Sequence, residues 1–480
     1  MSDSRTALTQ ESRVGPPPQR ANGRSRRLSA WDPEDEAAWK AGNERVARRN
    51  LIVSILSEHV GFSIWSMWSV LVLFMSPRTG HAFTADQKFL LVLVPTLVGA
   101  VLRLPYSYAV TRFGGRNWTV FASILLFVPA VLTLWFVHRP GTPLWVFLLV
   151  GATAGVGGGN FASSMTNITA FYPQRLQGWA LGLNAGGGNL GVAVVQLVGL
   201  LVISTAGDTH PAYVAAGYLP LIALCAVLAA LFMDNIDTVR THPRAQREAV
   251  RVGDTWWISV LYLGTFGSFI GYGFAFGIVL QSQFGASPLE AAQLTFLGPL
   301  LGSLSRPLGG RLADRWGGAR VTLLTFVGMA GGTGVLLVAS ARDSLGLFLA
   351  GFTALFVLSG LGNGSTYKMI PAVFARKAQG EITAGGDAVE AFARARTLSG
   401  AVIAIAGAVG ALGGVGINLT FRTSYSASGG GEAAFWTFLG FYALCVVVVR
   451  VVYLSADRGR AALDEESRMS AGQAGTRSHA

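Results

Sequence analysis

Two similar stretches of the chain decide its fold. PTLVGAVLRLPYSYAVTRFGGR occupies residues 95–116, and GPLLGSLSRPLGGRLADRWGGAR occupies residues 298–320. When they are aligned on Arg103 and Arg306, the offset between them is 306 − 103 = 203 residues. The same offset aligns further pairs, namely Gly61 with Gly264, Asn160 with Asn363, and Phe171 with Phe374. One constant offset across so many pairs predicts two parallel repeats of a common unit.

The composition predicts that both repeats lie in a membrane. Of the 480 residues, 51% are hydrophobic and 13% are charged, and the mean hydropathy is +0.47. A soluble domain carries about 25% charged residues, and an apolar run of about 20 residues can span a bilayer. We therefore expect an all-α polytopic membrane protein with twelve transmembrane helices, arranged as two parallel six-helix repeats. The expected spans are 51–75, 88–111, 116–137, 144–170, 177–204, 211–233, 256–281, 290–313, 320–341, 345–375, 395–420 and 433–455.

The distribution of basic residues predicts how the chain is oriented. Arginines are concentrated in both tails, in the central linker and in the short connections on the same side of the membrane. By the positive-inside rule, both termini are expected to be cytoplasmic in a multi-pass protein of the cell (plasma) membrane. The net charge of +12 is then a property of topology, so nucleic-acid binding is not expected. The expected units are a tail (1–50), a first bundle (51–233), a linker (234–255), a second bundle (256–455) and a tail (456–480).

Three cations lie well inside the expected spans, away from the span ends, namely Arg103, Arg306 and Lys368. An arginine at the centre of a membrane helix costs about 2.5–3.5 kcal/mol on insertion scales. Glu58 is the only clear carboxylate in the spans, so the paired arginines imply an anion supplied from outside. Because a guanidinium is a planar fork of donors, it favours a small, planar, singly charged oxyanion. Both cysteines lie inside spans, and we expect no metal or cofactor.

Glycine and asparagine interrupt the apolar pattern in two neighbouring spans. VGGGNFASSMTNITAFYP occupies residues 156–173, and ALGLNAGGGNLG occupies residues 180–191. Small residues allow membrane helices to approach closely, and polar side chains can bond across the contact. For most of these glycines, packing without ligand contact is the expected role. Asn160, Asn184 and Asn189 add amide donors among them.

These motifs resemble those of a known family. The stretch GGRLADRWGGAR, residues 309–320, resembles the helix 8–9 signature of the major facilitator superfamily. The helix 4–5 pair quoted above is similar to that of the nitrate/nitrite porter family, the NarK-like branch of that superfamily. The stretches SEHVGFSIWSMWSV, LYLGTFGSFIGY and GNGSTYKMIPAVF, residues 57–70, 261–272 and 362–374, are similar to its helices 1, 7 and 10. The resemblance covers about residues 50–455.

The resemblance implies a substrate site for nitrate and nitrite. Arg103 and Arg306 match the arginines that grip the anion, and Phe161 and Phe266 match an aromatic clamp whose ring edges would receive it. The resemblance further implies hydrogen-bonding helpers, namely Tyr262, Asn189 and Asn184.

Several mechanisms remain open at this point. The first is nitrate/nitrite exchange by alternating access, because two facing guanidiniums without an anion resist closing. The second is proton-coupled nitrate symport, in which Glu58, His59 and Lys368 are the candidate coupling groups. An anion-sensing receptor is a third, although neither tail is long enough for a folded signalling domain. No enzyme site is recognisable, and the protein is expected to function as a monomer in the lipid bilayer.

Overall fold

The structure is a computed structural model that describes residues 26–29, 31–237 and 243–455. Twelve long helices account for most of these residues. They are α1 (Glu44–Ser66, continued by Trp68–Phe74), α2 (Ala85–Phe113), α3 (Gly115–Leu125 and Phe127–Val137), α4 (Leu144–Phe171), α5 (Gln174–Ala206), α6 (Ala212–Phe232), α7 (Gly253–Phe284), α8 (Pro288–Thr295 and Leu297–Trp316), α9 (Gly318–Ala341), α10 (Leu345–Thr383), α11 (Ala388–Ser428) and α12 (Glu432–Val448, continued by Val449–Leu454). Short helices are Glu36–Ala38, Trp39–Asn43, Pro77–Thr79 and the linker helix Pro243–Arg251.

The predicted all-α architecture is confirmed. Among the described residues, 11 helices are long and apolar enough to cross a membrane. The remaining long helix, α8, differs because its second segment is rich in charge. That segment carries Arg306, Arg311, Asp314 and Arg315.

The bounds of two helices differ from the predicted spans. α10 continues to Thr383 and α11 begins at Ala388, so most of residues 376–396, expected to form a long loop, is helical. The turn between them contains Gly385 at φ +95°, a left-handed conformation that glycine adopts without strain. The first helix also begins earlier than expected, at Glu44. Residues 1–25 and 456–480 of the two predicted tails lie outside the described residues.

Both ends of the first bundle meet on one face of the molecule, which we call the linker face because the linker helix lies there. Strand β1 (Arg27–Leu28) pairs in parallel with strand β2 (Asn235–Ile236), just beyond the end of α6. The carboxylate of Asp234 is fully buried, and it forms ion pairs with Arg49 and, at 3.7 Å, with Arg26. The segment before the first helix is thereby fixed to the start of the linker. We call the other end of the helices the opposite face.

The glycines predicted to allow close packing do so in α4. A Cβ atom on Gly157 would lie 2.1 Å from the carbonyl oxygen of Gly61 in α1, and one on Gly158 would lie 2.8 Å from Cα of Gly99 in α2. Real Cβ atoms do not approach other atoms so closely. Not every glycine has this role, since a Cβ on Gly182 in α5 would meet nothing within 4 Å.

The two halves pack against each other through a few helices. α2 packs on α11, α5 packs on α8, and the second segment of α1 packs on α7. Within each half, α2 packs on α4 and, at the equivalent position of the second repeat, α8 packs on α10. Residues on the inner faces of α2 and α8 therefore lie where the halves meet.

Candidate anion-binding site

Arg103 lies on the inner face of α2 and is fully buried (0% exposed). Its Nη1 donates a 2.6 Å hydrogen bond to the carbonyl oxygen of Gly407 on α11, in the other half. Its Nε and Nη2 have no hydrogen-bond partner among the described residues. These two nitrogens form one edge of the guanidinium, so an unused pair of parallel donors remains at the interface of the halves.

Arg306 is the equivalent residue of the second repeat, on α8, and is 5% exposed. Its Nη2 donates a 3.2 Å hydrogen bond to the hydroxyl oxygen of Tyr262 on α7. Its Nη1 is buried and has no partner in the described part of the chain. Its Cζ lies 5.4 Å from the ring centroid of Tyr367 on α10.

Aromatic rings connect the two arginines. The Cζ of Arg103 lies 4.5 Å from the ring centroid of Phe161 and 4.9 Å from that of Phe266. Phe161 and Phe266 stack at 6.0 Å with an interplanar angle of 29°, and Phe266 stacks on Tyr262 at 5.2 Å and 3°. Since Tyr262 bonds Arg306, the rings form a continuous path between the guanidiniums.

The arrangement of the phenylalanines differs from the expected clamp in one respect. The resemblance implied ring edges turned toward an anion, whereas both rings lie against the Arg103 guanidinium. A cation close to an aromatic ring is stabilised by the electron density of the ring face. Phe161 and Phe266 therefore hold the arginine in place here, and their contact with an anion stays a prediction.

Neither arginine has an acidic partner. Within residues 26–29, 31–237 and 243–455, no carboxylate oxygen lies within 4.0 Å of the guanidinium nitrogens of Arg103 or Arg306. A buried charge without a counter-charge is costly. Two such cations at the interface of the halves are suited to binding an anion.

Asn189 on α5 has the features expected of a ligand-binding amide. The side chain is fully buried, and neither Nδ2 nor Oδ1 has a hydrogen-bond partner among the residues described. A buried amide is normally bonded, so an unbonded one indicates a missing partner.

Asn184, one turn earlier on α5, is engaged differently. Its Nδ2 donates to the Glu58 carboxyl oxygen Oε2 at 2.6 Å and to Ser164 Oγ at 2.7 Å, and its Oδ1 accepts from Ser164 Oγ at 3.0 Å. The amide is therefore committed to neighbouring side chains. Asn184 therefore supports Glu58, and its contact with the anion stays a prediction.

The three predicted coupling groups lie in different environments. Glu58 on α1 is 1% exposed, whereas His59 is partly exposed and its Nδ1 lies 3.1 Å from the carbonyl oxygen of Gly187. The expectation that Lys368 is an unpaired cation inside the membrane is wrong. Its Nζ bonds both oxygens of Asp314 at 2.8 and 3.0 Å, and the two side chains are 39% and 59% exposed.

Three parts of this site were not predicted from the sequence. The carbonyl of Gly407 gives no signal, because any residue supplies one. Trp65, whose ring centroid lies 5.6 Å from Arg103 Cζ, reads as ordinary core. Tyr367 carries a buried hydroxyl without a partner in the described structure, and its ring lies 5.1 Å from that of Tyr262. Its position beside Lys368 in GNGSTYKMIPAVF was the available signal.

The fold and sequence match known transporters. The sequence model of the Major Facilitator Superfamily matches residues 59–415. Among solved structures, the chain superposes on a D-xylose-proton symporter with a TM-score of 0.61 at 18% identity, covering 84% of this chain and 97% of that one. It also superposes on a bacterial homolog of the human lysosomal transporter Spinster, inward-facing and occupied, with a TM-score of 0.59 at 16% identity, covering 85% and 96%. At these identities the likeness establishes the fold alone.

Sequence relatives define the family more narrowly. The nitrate/nitrite transporter NarU of Salmonella typhimurium (strain LT2) is 38% identical over 448 residues, covering 89% of this chain and 96% of the relative. The probable nitrate/nitrite antiporter NarK2 of Thermus thermophilus is 32% identical over 394 residues, covering 76% and 87%. The family consists of transporters and not of enzymes. The chain therefore belongs to the nitrate/nitrite porter family of the major facilitator superfamily.

Proposed function

We propose that this protein transports nitrate and nitrite across the membrane by alternating access, with exchange of the two anions as its basic reaction. The main supporting observation is the pair of buried arginines at the interface of the halves, neither of which has a carboxylate partner among the described residues. The names of the relatives, a nitrate/nitrite transporter and a probable nitrate/nitrite antiporter, support the same substrates.

The unused donors suit a flat oxyanion. Nε and Nη2 of Arg103 point in parallel, so they can each bind one oxygen of a planar anion. Nη1 of Arg306 is a further unused donor that can bind the third oxygen of a three-oxygen anion, and we propose that the unbonded amide of Asn189 contributes to the same site. An ion of three coplanar oxygens, or a bent ion of two, satisfies this donor set. A tetrahedral dianion such as sulfate would place oxygens out of the plane and bring a second charge.

The two halves are in contact on both faces of the molecule. On the opposite face, Lys88 Nζ donates to Gln281 Oε1 at 3.2 Å, and Phe89 stacks on Phe421 at 5.5 Å. On the linker face, Arg396 Nη1 donates to Gln174 Oε1 at 2.9 Å. Because the site between these contacts is buried, release of an anion to either side requires one set of contacts to break. This is the alternation that a rocking transporter performs.

The charge of the site supports the proposal of exchange. Two guanidiniums without an anion repel each other and disfavour the closed arrangement. Nitrate and nitrite each carry one negative charge, so either one permits the closed state, and their exchange moves no net charge.

Counterflow in proteoliposomes tests this proposal. Vesicles loaded with unlabelled nitrite or nitrate should accumulate labelled nitrate transiently, whereas vesicles loaded with sulfate should not. Absence of counterflow with purified, folded protein would contradict the proposed substrates. An equal rate with sulfate inside would contradict the selectivity for a flat, singly charged anion.

We further propose that the protein acts as a monomer in the cell membrane, with the linker face in the cytoplasm. The support is the concentration of arginine in the tails, the linker and the connections of that face. A protease site placed after residue 480 should be cleaved in inside-out vesicles only. Cleavage in intact spheroplasts would reverse the orientation.

A further inference from the structure

A buried carboxyl group lies close to the arginine pair without touching it. Glu58 extends from α1 toward α5, where its Oε2 accepts the 2.6 Å hydrogen bond from Asn184 Nδ2. Its Oε1 is buried and has no partner among the described residues. The glycine at position 188 leaves the space for it, since a Cβ there would lie 2.2 Å from Oε1.

Glu58 forms no salt bridge within the part of the chain that the structure describes, yet it is within electrostatic range of both guanidiniums. Arg103 on α2 and Arg306 on α8 interact with it electrostatically, and Ser164 on α4 shares its hydrogen-bond partner Asn184. The phenol of Tyr367 on α10 also interacts with it electrostatically. His59, the next residue of α1, is bonded to the backbone of α5.

We infer that Glu58 binds a proton when the anion binds to the arginines and releases it when the anion leaves, so that the protein can also carry one proton with each anion. This inference rests on the proposed function. It goes beyond it by adding net, proton-coupled uptake to exchange and by assigning that step to one residue.

The charges of the site explain the linkage. With an anion bound and Glu58 protonated, the two guanidiniums and the anion give 2 − 1 = +1. With no anion and Glu58 ionised, the two guanidiniums and the carboxylate again give 2 − 1 = +1. The carboxylate therefore takes over the electrostatic role of the anion, and the site without anion can close and return. Like charges in one site disfavour each other, so anion and carboxylate exclude each other.

One turn of the cycle balances in atoms and charge. A proton and an anion enter from one side, the proton bound to a Glu58 oxygen and the anion to the arginines. Both leave on the other side, and the carrier returns with Glu58 ionised. One proton and one anion have then crossed, and no net charge has moved. During exchange Glu58 stays protonated, because an anion occupies the arginines in both directions.

Glu58→Gln separates the two modes. The glutamine is neutral like the protonated acid, and its carbonyl oxygen can still accept from Asn184. We expect counterflow of labelled nitrate to stay within about twofold of the wild type, because that reaction never needs the ionised form. Net nitrate uptake into anion-free vesicles under an inward proton gradient should fall at least about tenfold. His59→Gln, which removes the neighbouring titratable group, is the matched control and should keep both activities.

Each outcome tests either the proposed function or the role of Glu58. If the wild type shows no counterflow, the proposed function itself is contradicted. The role of Glu58 alone would be overturned if the wild type showed counterflow but no proton-driven uptake. It would also be overturned if proton-driven uptake by Glu58→Gln were unchanged. If the variant loses both fluxes, nitrate binding to the purified proteins decides. The affinity of the wild type should rise by up to about tenfold per unit of falling pH, while that of Glu58→Gln stays constant. A pH-independent affinity of the wild type would overturn the inference.

Discussion

Arg103 of the first half is bonded to Gly407 of the second half, with 2.6 Å between Nη1 and the carbonyl oxygen. The cation of the candidate site is therefore held by the partner half. The bond occupies one guanidinium nitrogen and leaves the Nε–Nη2 edge for a ligand. It links the position of the anion-binding group to the contact between α2 and α11, which has to loosen when the halves rock.

Lysine should not replace either arginine. In Arg103→Lys and Arg306→Lys the charge remains, but an ammonium cannot supply parallel donors in one plane. Each hydrogen bond to a charged group contributes about 1.5–3 kcal/mol, so loss of the bidentate pair in Arg103→Lys should lower counterflow at least about a hundredfold, and loss of the single free donor in Arg306→Lys should lower it at least about tenfold.

The matched control is Arg139→Lys, because Arg139 lies outside the site with its Cζ 4.2 Å from the ring of Trp135. It should transport normally. Melting temperatures close to that of the wild type should confirm that all three variants fold. Near-normal counterflow by both site variants would remove the arginine pair from the mechanism.

The hydroxyl of Tyr262 should matter more than its ring. Tyr262→Phe removes the oxygen that accepts from Arg306 at 3.2 Å but keeps the stack on Phe266. Loss of one hydrogen bond to a charged donor costs about 1.5–3 kcal/mol, so counterflow should fall by about ten- to a hundredfold. Tyr108→Phe, at an exposed tyrosine, serves as the control. An unchanged rate for Tyr262→Phe would show that Arg306 needs no support from this hydroxyl.

Two glycines that look alike in the sequence should respond differently to alanine. Gly157→Ala forces a Cβ toward the carbonyl oxygen of Gly61, and such overpacking costs about 1–3 kcal/mol. We expect a lower melting temperature in detergent and reduced transport. Gly182→Ala meets nothing within 4 Å and gains helix propensity, so its melting temperature should be equal or higher. The opposite order would contradict the close approach of α4 to α1.

Lys368 should not take part in proton coupling. Its ion pair with Asp314 is exposed, and exposed pairs contribute only about 0–1 kcal/mol. Lys368→Gln should therefore keep proton-driven uptake and its pH dependence within about twofold of the wild type. If Lys368→Gln lost proton-driven uptake but kept counterflow, the proton-coupling group would be this ion pair and not Glu58.

Much of the fold followed from the sequence for physical reasons. The offset of 203 residues identified the repeats, and the burial cost of charge singled out Arg103 and Arg306, which the structure buries at the interface of the halves. Helical periodicity shows which residues share a face, and insertion costs show which residues need a partner. Both kinds of information are local to one helix.

What could not be predicted from the sequence concerns contacts with side chains on other helices and the full length of two helices. Lys368 was expected to be unpaired because its partner, Asp314, lies 54 residues earlier, on α8. Glu58, which accepts a hydrogen bond from Asn184, lies 126 residues away in the sequence, so no local pattern indicates that bond. The prediction of a loop at residues 376–396 was wrong. The charged residues there suggested a connection, whereas two long helices extend beyond the apolar core.

The pairing of β1 with β2 has a consequence for biosynthesis. Both strands precede the second bundle in the sequence, so they can meet while most of that bundle is still to be synthesised. They meet only if the intervening helices have crossed the bilayer an even number of times. If one helix of the nascent chain failed to insert, Asp234 would lie on the opposite side of the bilayer from Arg26 and Arg49. The small sheet can therefore form only when the first bundle has inserted with an even number of crossings, and it can do so before the second bundle is complete.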